Sequence, residues 1–219
     1  MYLVNSRPNL CFVVNTLSQF MVKPRRVPWV AAKHVLRYLA GIVDYGLYYR
    51  TSYGVRLIGF MDSYWAGSVT DRKSTSICCF SLDSIAMPWF SQKQKYVALS
   101  STEVEYMETS QASCKVLWLH KLLVDLFDQE LRPIVIYSDN QSCIHLSENT
   151  VFHDRSKHIE IRYHFIRDYV QRGVVELQYI STDKQVADIL TKSLGRGKFI
   201  NFIDELGVVQ NTFLGKREC

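Results

Sequence analysis

Two short, almost unbroken apolar runs constrain this chain most. Leu57-Ile58-Gly59-Phe60-Met61 leads straight into Asp62, and Ile134-Val135-Ile136-Tyr137 leads, after Ser138, into Asp139. Runs of this kind, without polar alternation, suit strands buried on both faces, and a sheet covered on both faces needs helices on each side. The stretch 100–128 supplies one. It carries Val104, Met107, Val116, Leu119, Leu122, Leu123 and Leu126 on the side predicted to face the core, the pattern of a long amphipathic helix.

The remaining elements fill in around these. Pro8 suits the first position of a helix, with Phe12, Leu17, Phe20 and Met21 following at roughly helical spacing. Lys23-Pro24-Arg25-Arg26 interrupts it, and a second helix is predicted over 28–39 with Val30, Val35, Tyr38 and Leu39 inward. Strands are expected at 45–50, 75–82, 85–91 and 174–180, with Asp83-Ser84 as a tight turn. Further helices are expected at 141–148, 159–171, 184–192 and 198–205. Strands followed by a helix, a strand, helices and a last strand describe an α/β fold with a mixed sheet.

At 219 residues, 47% of them hydrophobic and 21% charged, the chain can build one good domain plus an appendage. No apolar run approaches the roughly 18 residues that a membrane span needs. Asn5, Arg7 and Pro8 interrupt any signal-peptide layout, and a soluble intracellular protein is expected. The six cysteines form no Cys-x-x-Cys pair, which favours buried thiols over a disulfide frame or a zinc site. Charge is uneven. Residues 1–50 hold Arg7, Lys23, Arg25, Arg26, Lys33, Arg37 and Arg50 against the single acid Asp44. Such a basic arm suits either phosphate binding or a pair of solvated helices.

Four carboxylates stand at the beginnings or ends of elements, and their convergence on one point would make a site for two divalent metals. Asp62 ends a buried strand, although alone it also reads as a turn or Asx cap. Glu105 follows Ser100-Ser101-Thr102-Glu103, a capping box in which Glu103 already has a structural task. Glu105 is therefore the better ligand candidate, with first-turn dipole stabilisation as its alternative role. Asp139 suits either a site at a strand's carboxyl end or the N-cap of the next helix. Asp188 is expected one turn inside a helix capped by Thr182-Asp183-Lys184-Gln185, where no terminus needs an acid. Small Ala187 beside it would permit close packing on the sheet.

Taken together, these segments resemble the ribonuclease H domain at the end of Copia-type retrotransposon Pol polyproteins. The matching stretches run from Leu57 through Asp62-Ser63-Tyr64-Trp65-Ala66-Gly67, then Asp71-Arg72-Lys73-Ser74-Thr75-Ser76 and Ala98-Leu99-Ser100-Ser101-Thr102-Glu103-Val104-Glu105-Tyr106. They continue with Tyr137-Ser138-Asp139-Asn140, Lys157-His158-Ile159-Glu160-Ile161-Arg162-Tyr163-His164 and Gln185-Val186-Ala187-Asp188-Ile189-Leu190-Thr191-Lys192. The opening residues, Ser6-Arg7-Pro8-Asn9 through Tyr38-Leu39, resemble the family's link between polymerase and nuclease.

The resemblance implies a ribonuclease H-like fold, a five-stranded mixed sheet flanked by helices behind an N-terminal helical connection segment. The corresponding divisions are 1–54, 55–195 and 196–219. It implies hydrolysis of the RNA strand of RNA–DNA hybrids, with Asp62, Glu105, Asp139 and Asp188 holding two Mg²⁺ ions, or Mn²⁺ in their place. Arg72, Lys73, Ser74 and Thr75, with Lys93 and Lys95, are the candidates for contacts to the nucleic-acid backbone, solvated loop polarity being the alternative. The expected partners are the hybrid and the upstream reverse-transcriptase domain of a parent polyprotein, with no membrane. A cytoplasmic retrotransposon particle or the nucleus is the expected location.

Tyr64 stands where the family usually has a second Asp, and Ile77 where it has a glycine; Ile77 is expected to crowd the substrate. His153, His158 and His164 are assigned structural or positioning roles, because a spacing of six does not place His158 and His164 on one helical face. The rival reading is an inactive nucleic-acid-binding module that keeps the fold.

Overall fold

The computed structural model describes residues 2–49, 56–64, 73–82, 85–94, 101–128, 133–148 and 167–211. A short helix α1 (Tyr2–Ser6) and a 3-10 turn (Pro8–Leu10) precede α2 (Cys11–Ser18) and α3 (Arg26–Gly41). Strands follow: β1 (Tyr45–Leu47), β2 (Leu57–Tyr64), β3 (Thr75–Leu82) and β4 (Ile85–Lys93). Then come α4 (Ser101–Phe127), β5 (Ile134–Ser138), α5 (Gln141–Glu148) and β6 (Val175–Tyr179). A 3-10 turn (Thr182–Lys184), α6 (Asp188–Thr191), α7 (Arg196–Glu205) and β7 (Val208–Gln210) close the described order.

The main sheet has five strands in the order β4-β3-β2-β5-β6. β2, β3 and β4 form an antiparallel meander, while β5 and β6 run parallel to β2. This is the five-stranded mixed sheet of the ribonuclease H-like fold. The two apolar runs become β2 and β5, adjacent strands at the centre, because only central strands bury both faces. Gly59 lets β2 lie close to its neighbour. A Cβ there would meet Phe80 Cε1 at 3.0 Å and Ile136 Cγ1 at 3.4 Å.

Strand alternation divides the interior in two. On one face Met61, Cys78, Phe80 and Ile136 meet Ala112, Val116, Leu119 and Leu123 of α4. On the other, Ile77 and Cys79 meet Cys11 near the N-terminus, Ile189 and Leu190 of α6, and Phe202 of α7. The second core therefore draws on both ends of the described chain. β1 pairs antiparallel with β7 in a separate two-stranded sheet, and Trp89 Nε1 donates to the Val4 carbonyl at 2.8 Å.

Several expectations need correction. The strand expected at 45–50 is only Tyr45–Leu47, and its partner Val208–Gln210 carried no strand signal in isolation. Three-residue strands are too short to show periodicity and exist because they pair. Val30, expected inward, is 45% exposed, and α3 buries no residue fully. Val30 lies on the same stripe as exposed Arg26, Lys33 and Arg37, whereas Val35, Tyr38 and Leu39 take the inner side. Leu122 and Leu126 of α4 are exposed, because they continue the stripe of exposed Trp118, whereas Ala112, Val116, Leu119 and Leu123 form the stripe that meets the core. The helix expected at 184–192 is broken into a 3-10 turn and α6, so Asp188 opens a short helix instead of lying one turn inside a longer one. Ile77 is 1% exposed within the second core, so it does not project toward a substrate. Cys11, Cys78, Cys79 and Cys143 are buried free thiols, as expected, and Cys114 is exposed. Among the described residues, no helix is long and apolar enough to cross a membrane.

Candidate active site

Because β2 and β5 run parallel, their carboxyl ends reach the same edge of the sheet. Asp62 lies near the end of β2, and Asp139 is the first residue after β5. Asp62 is opposite Ile77 in the β2–β3 register, which places it on the face covered by α6. Two bonds of very long sequence separation tie that segment down. Gln185 Nε2 donates to the Met61 carbonyl at 2.8 Å, and Thr191 Oγ1 donates to Asp62 Oδ2 at 2.6 Å. Val186, Ala187, Ile189 and Leu190 are buried around them, so Asp188 is delivered to Asp62 by apolar packing.

The result is a pair of buried carboxylates held by two ammonium groups. Asp188 is 0% and Asp62 7% exposed. Lys192 Nζ lies 2.7 Å from Asp188 Oδ1 and 3.7 Å from Asp62 Oδ2, while Lys198 Nζ lies 3.0 Å from Asp188 Oδ2. Asp188 Oδ1 accepts no hydrogen bond of good geometry. Its short contact with Lys192 is an ion pair. Lys198 also donates to the Thr182 carbonyl at 2.8 Å, and Thr182 Oγ1 donates to Asp139 Oδ2 at 3.0 Å. The three aspartates thus belong to one polar chain running Asp62, Thr191 and Lys192, Asp188, Lys198, Thr182, Asp139.

Burial pushes the Asp62 carboxyl up to about 7, and the charges of Asp188 and Asp139 add to the rise. The Thr191 hydroxyl and Lys192 oppose it without prevailing. For Lys192, burial acts to lower the pKa, but the adjoining Asp188 carboxylate and the charges of Asp62 and Asp139 outweigh it and raise it. Desolvation thus disfavours charge on both partners, and mutual attraction compensates only for the lysine.

Asp139 does not cap α5. Asn140 takes that role, its Oδ1 accepting from Cys143 N–H at 3.0 Å, so the acid beside it is left for the site. Glu105 belongs to the early part of α4, but its side chain lies outside the described residues. A carboxylate that sequence reasoning passed over sits one helical turn later. Glu108 is fully buried and accepts from the Ile77 N–H at 2.5 Å, pinning α4 against β3. Lys192, Lys198, Thr182 and Thr191 were also missed as site residues. The i, i+4 spacing of Asp188 and Lys192 was a usable signal, whereas nothing in sequence links Lys198 to Asp188.

Among the backbone-contact candidates, Ser74 is fully buried and its carbonyl accepts from Gln94 N–H at 2.8 Å, so it is not placed to meet a phosphate. It immediately precedes β3. Lys73 and Thr75 are half-buried. Arg72 and Lys95 lie outside the described residues, as do the side chains of Lys93 and Tyr64 and all of His153, His158 and His164.

The donor atoms suit a hard divalent cation, since carboxylate oxygens are what Mg²⁺ takes, and Asp188 Oδ1 is a buried acceptor without an aligned donor. Among the described residues, no three His, Cys, Asp or Glu side chains form a ready-made metal cage. Asp62 and Asp188 provide a pair to which further ligands would be added.

No protein-family model matches the chain. It is 43% identical over 209 residues to a retrovirus-related Pol polyprotein from transposon RE2 of Arabidopsis thaliana, which covers 95% of this chain and 14% of that protein. It is 38% identical over 197 residues to the corresponding polyprotein from transposon TNT 1-94 of Nicotiana tabacum, covering 90% of this chain and 15% of that one. Among solved structures it is similar to an N-terminal RNase H domain from Mycobacterium tuberculosis. That match has a TM-score of 0.46 and 10% identity over 69% of this chain and 98% of the other. The fold assignment rests on the strand order itself. The chain spans about one seventh of the polyproteins that it matches, and by these relatives it belongs to the Copia-type retrotransposon Pol polyprotein family.

Proposed function

We propose that this segment hydrolyses the RNA strand of RNA–DNA hybrids as the ribonuclease H part of a retrotransposon Pol polyprotein. The observation that carries the reading is the burial of Asp62 and Asp188 around a shared Lys192, with Asp62 near the end of β2. Two buried acids cost the fold desolvation, and even with Lys192 and Lys198 beside them burial still pushes the Asp62 carboxyl up to about 7, so the ion pairs do not offset that cost in full. Retention of the acids is understandable if the site works on a cation-dependent reaction.

Asp62, Asp188, Asp139 and Glu105 would hold the divalent ions, two Mg²⁺ in this reading, which supply Lewis acidity for activating water and neutralising phosphate charge. The chain's own groups set the stage. Thr191 fixes the rotamer of Asp62, Gln185 anchors the α6 segment to β2, and Thr182 orients Asp139. Lys73 and Thr75 remain candidates for backbone contacts. Arg26, Lys33 and Arg37 add a second basic stripe on the exposed side of α3, a helix that contains no acid. The upstream reverse-transcriptase domain is the proposed protein partner, because exposed Trp29, Leu36 and Val43 leave apolar surface uncovered on this chain.

The test is cleavage of a hybrid labelled on each strand, with Mg²⁺, beside Asp62→Asn and Asp188→Asn. Loss of the RNA strand alone, abolished in both variants, supports the reading. Hybrid binding without cleavage by folded protein would replace it with an inactive nucleic-acid-binding module.

A further inference from the structure

Both oxygens of Asp188 face an ammonium group, and one of those groups also reaches Asp62. Two buried acids are thus neutralised by two lysines within the chain itself. Lys198 is anchored at a second point by its bond to the Thr182 carbonyl. Lys192 differs. It is 39% exposed, more than Lys198 at 29%. Its side chain also borders a cleft of about 320 Å³ lined by Asn9, Tyr38, Ser193 and Phe199. The cleft is mostly apolar, with Leu10, Val13, Val35 and Ile189 on its walls, and the Tyr38 hydroxyl and Asn9 side chain, bonded to each other at 2.9 Å, form a polar spot within it. The stem of Lys192 can therefore lie along this cleft while its ammonium, already 39% exposed, reaches solvent or the Tyr38–Asn9 pair if another cation takes its place.

We propose that Lys192 is the resident counter-ion of the Asp62–Asp188 pair, holding the carboxylates together in the metal-free protein and withdrawing toward the cleft when a divalent ion binds. The ion and the ammonium then compete for the same oxygens. Lys198, fixed by Thr182, stays on Asp188 in both states. This rests on the proposed function only in requiring that a divalent ion bind; it requires no turnover.

The experiment is calorimetric titration of the metal-free protein with MgCl₂, with thermal unfolding in EDTA and in saturating MgCl₂, for the wild type, Lys192→Met and Lys192→Arg. Removing a positive charge that lies 2.7 Å from Asp188 Oδ1 and 3.7 Å from Asp62 Oδ2 should tighten Mg²⁺ binding at least about tenfold, because the ion no longer has to displace an ammonium whose attraction to these oxygens is appreciable even in a water-like dielectric. The Lys192→Met protein should melt lower than wild type in EDTA and approach it in MgCl₂. Lys192→Arg, which keeps the charge, should bind no more tightly than wild type. If Lys192→Met does not fold without metal, the ammonium ¹⁵N resonance of Lys192 in the wild type answers instead: it should shift on adding MgCl₂. Mg²⁺ affinity unchanged or weakened in Lys192→Met, or an unmoved Lys192 resonance in a protein that binds Mg²⁺, overturns the proposal. Absence of Mg²⁺ binding in every variant overturns the metal reading as well, and so separates the two failures.

Discussion

Replacing Asp62 by Asn should stabilise the metal-free protein at neutral pH and do almost nothing in acid. The carboxyl is buried, and burial raises its pKa from an ordinary 3.8 to about 7, with Asp188 and Asp139 adding to the rise. Below about pH 4 both folded and unfolded chains hold the proton, so the group costs nothing in either state. Between about pH 4 and 7 the unfolded chain releases the proton while the folded one keeps it. Stability then falls by about 1.4 kcal/mol per pH unit and levels off near a loss of about 4 kcal/mol. Lys192 and Thr191 are already included in that balance, since both oppose the rise. Asn keeps an acceptor for the Thr191 hydroxyl and never ionises. Urea denaturation in EDTA should therefore show Asp62→Asn more stable by about 1 kcal/mol at pH 4.5, about 3 at pH 6 and about 4 at pH 8. For a chain of this size the last figure corresponds to roughly 10 °C in Tm. A gain equal at all three pH values would refute the reasoning, because it would make the effect steric. A loss at pH 8 would show the ionised carboxylate to be net stabilising where it stands.

Three further outcomes follow from the same geometry. Thr191→Val removes the 2.6 Å bond to Asp62 and should cost about 1.5–3 kcal/mol at pH 8, the range for hydrogen bonds to charged groups. The cost should shrink toward pH 5, as urea titrations at the two values would reveal. Gly59→Ala presses a methyl group onto Phe80 at 3.0 Å, and should lose about 1–3 kcal/mol by overpacking, read from a lowered urea midpoint. Exchanging Arg26, Lys33 and Arg37 together for Gln should flatten the salt dependence of hybrid binding by a log–log slope of about 2–3 if all three meet phosphates. Fluorescence anisotropy across KCl concentrations measures that slope, and an unchanged value would remove α3 from the nucleic-acid surface.

The central strands were legible in the residues because Leu57–Met61 and Ile134–Tyr137 are apolar on both faces, which few other structures tolerate. Asp62 and Asp139 were picked out for the same local reason: each follows a buried run at a strand's carboxyl end. The helix of residues 101–127 was equally plain from its period, although Leu122 and Leu126 were misplaced because residue type alone does not say which of two adjoining apolar stripes, that of Leu119 and Leu123 or that of Trp118, Leu122 and Leu126, meets the sheet. Asp188 was noticed, but its helix was drawn too long. Gln185 turns toward the Met61 carbonyl instead of continuing a helix, and that preference exists only once β2 is present.

What the sequence alone determined is the class of fold and the placing of candidate carboxylates, since buried strands, an amphipathic helix and acids at element ends are all local properties of the chain. The tertiary structure decided the rest. It made strands of Tyr45–Leu47 and Val208–Gln210, too short to exist unpaired, and drew both ends of the described chain into one core with the sheet. It also brought Lys192 and Lys198 onto Asp188, and Thr182 onto Asp139. Charge compensation of that kind depends on distances of a few ångströms between residues that can lie far apart in the chain. Only folding sets those distances.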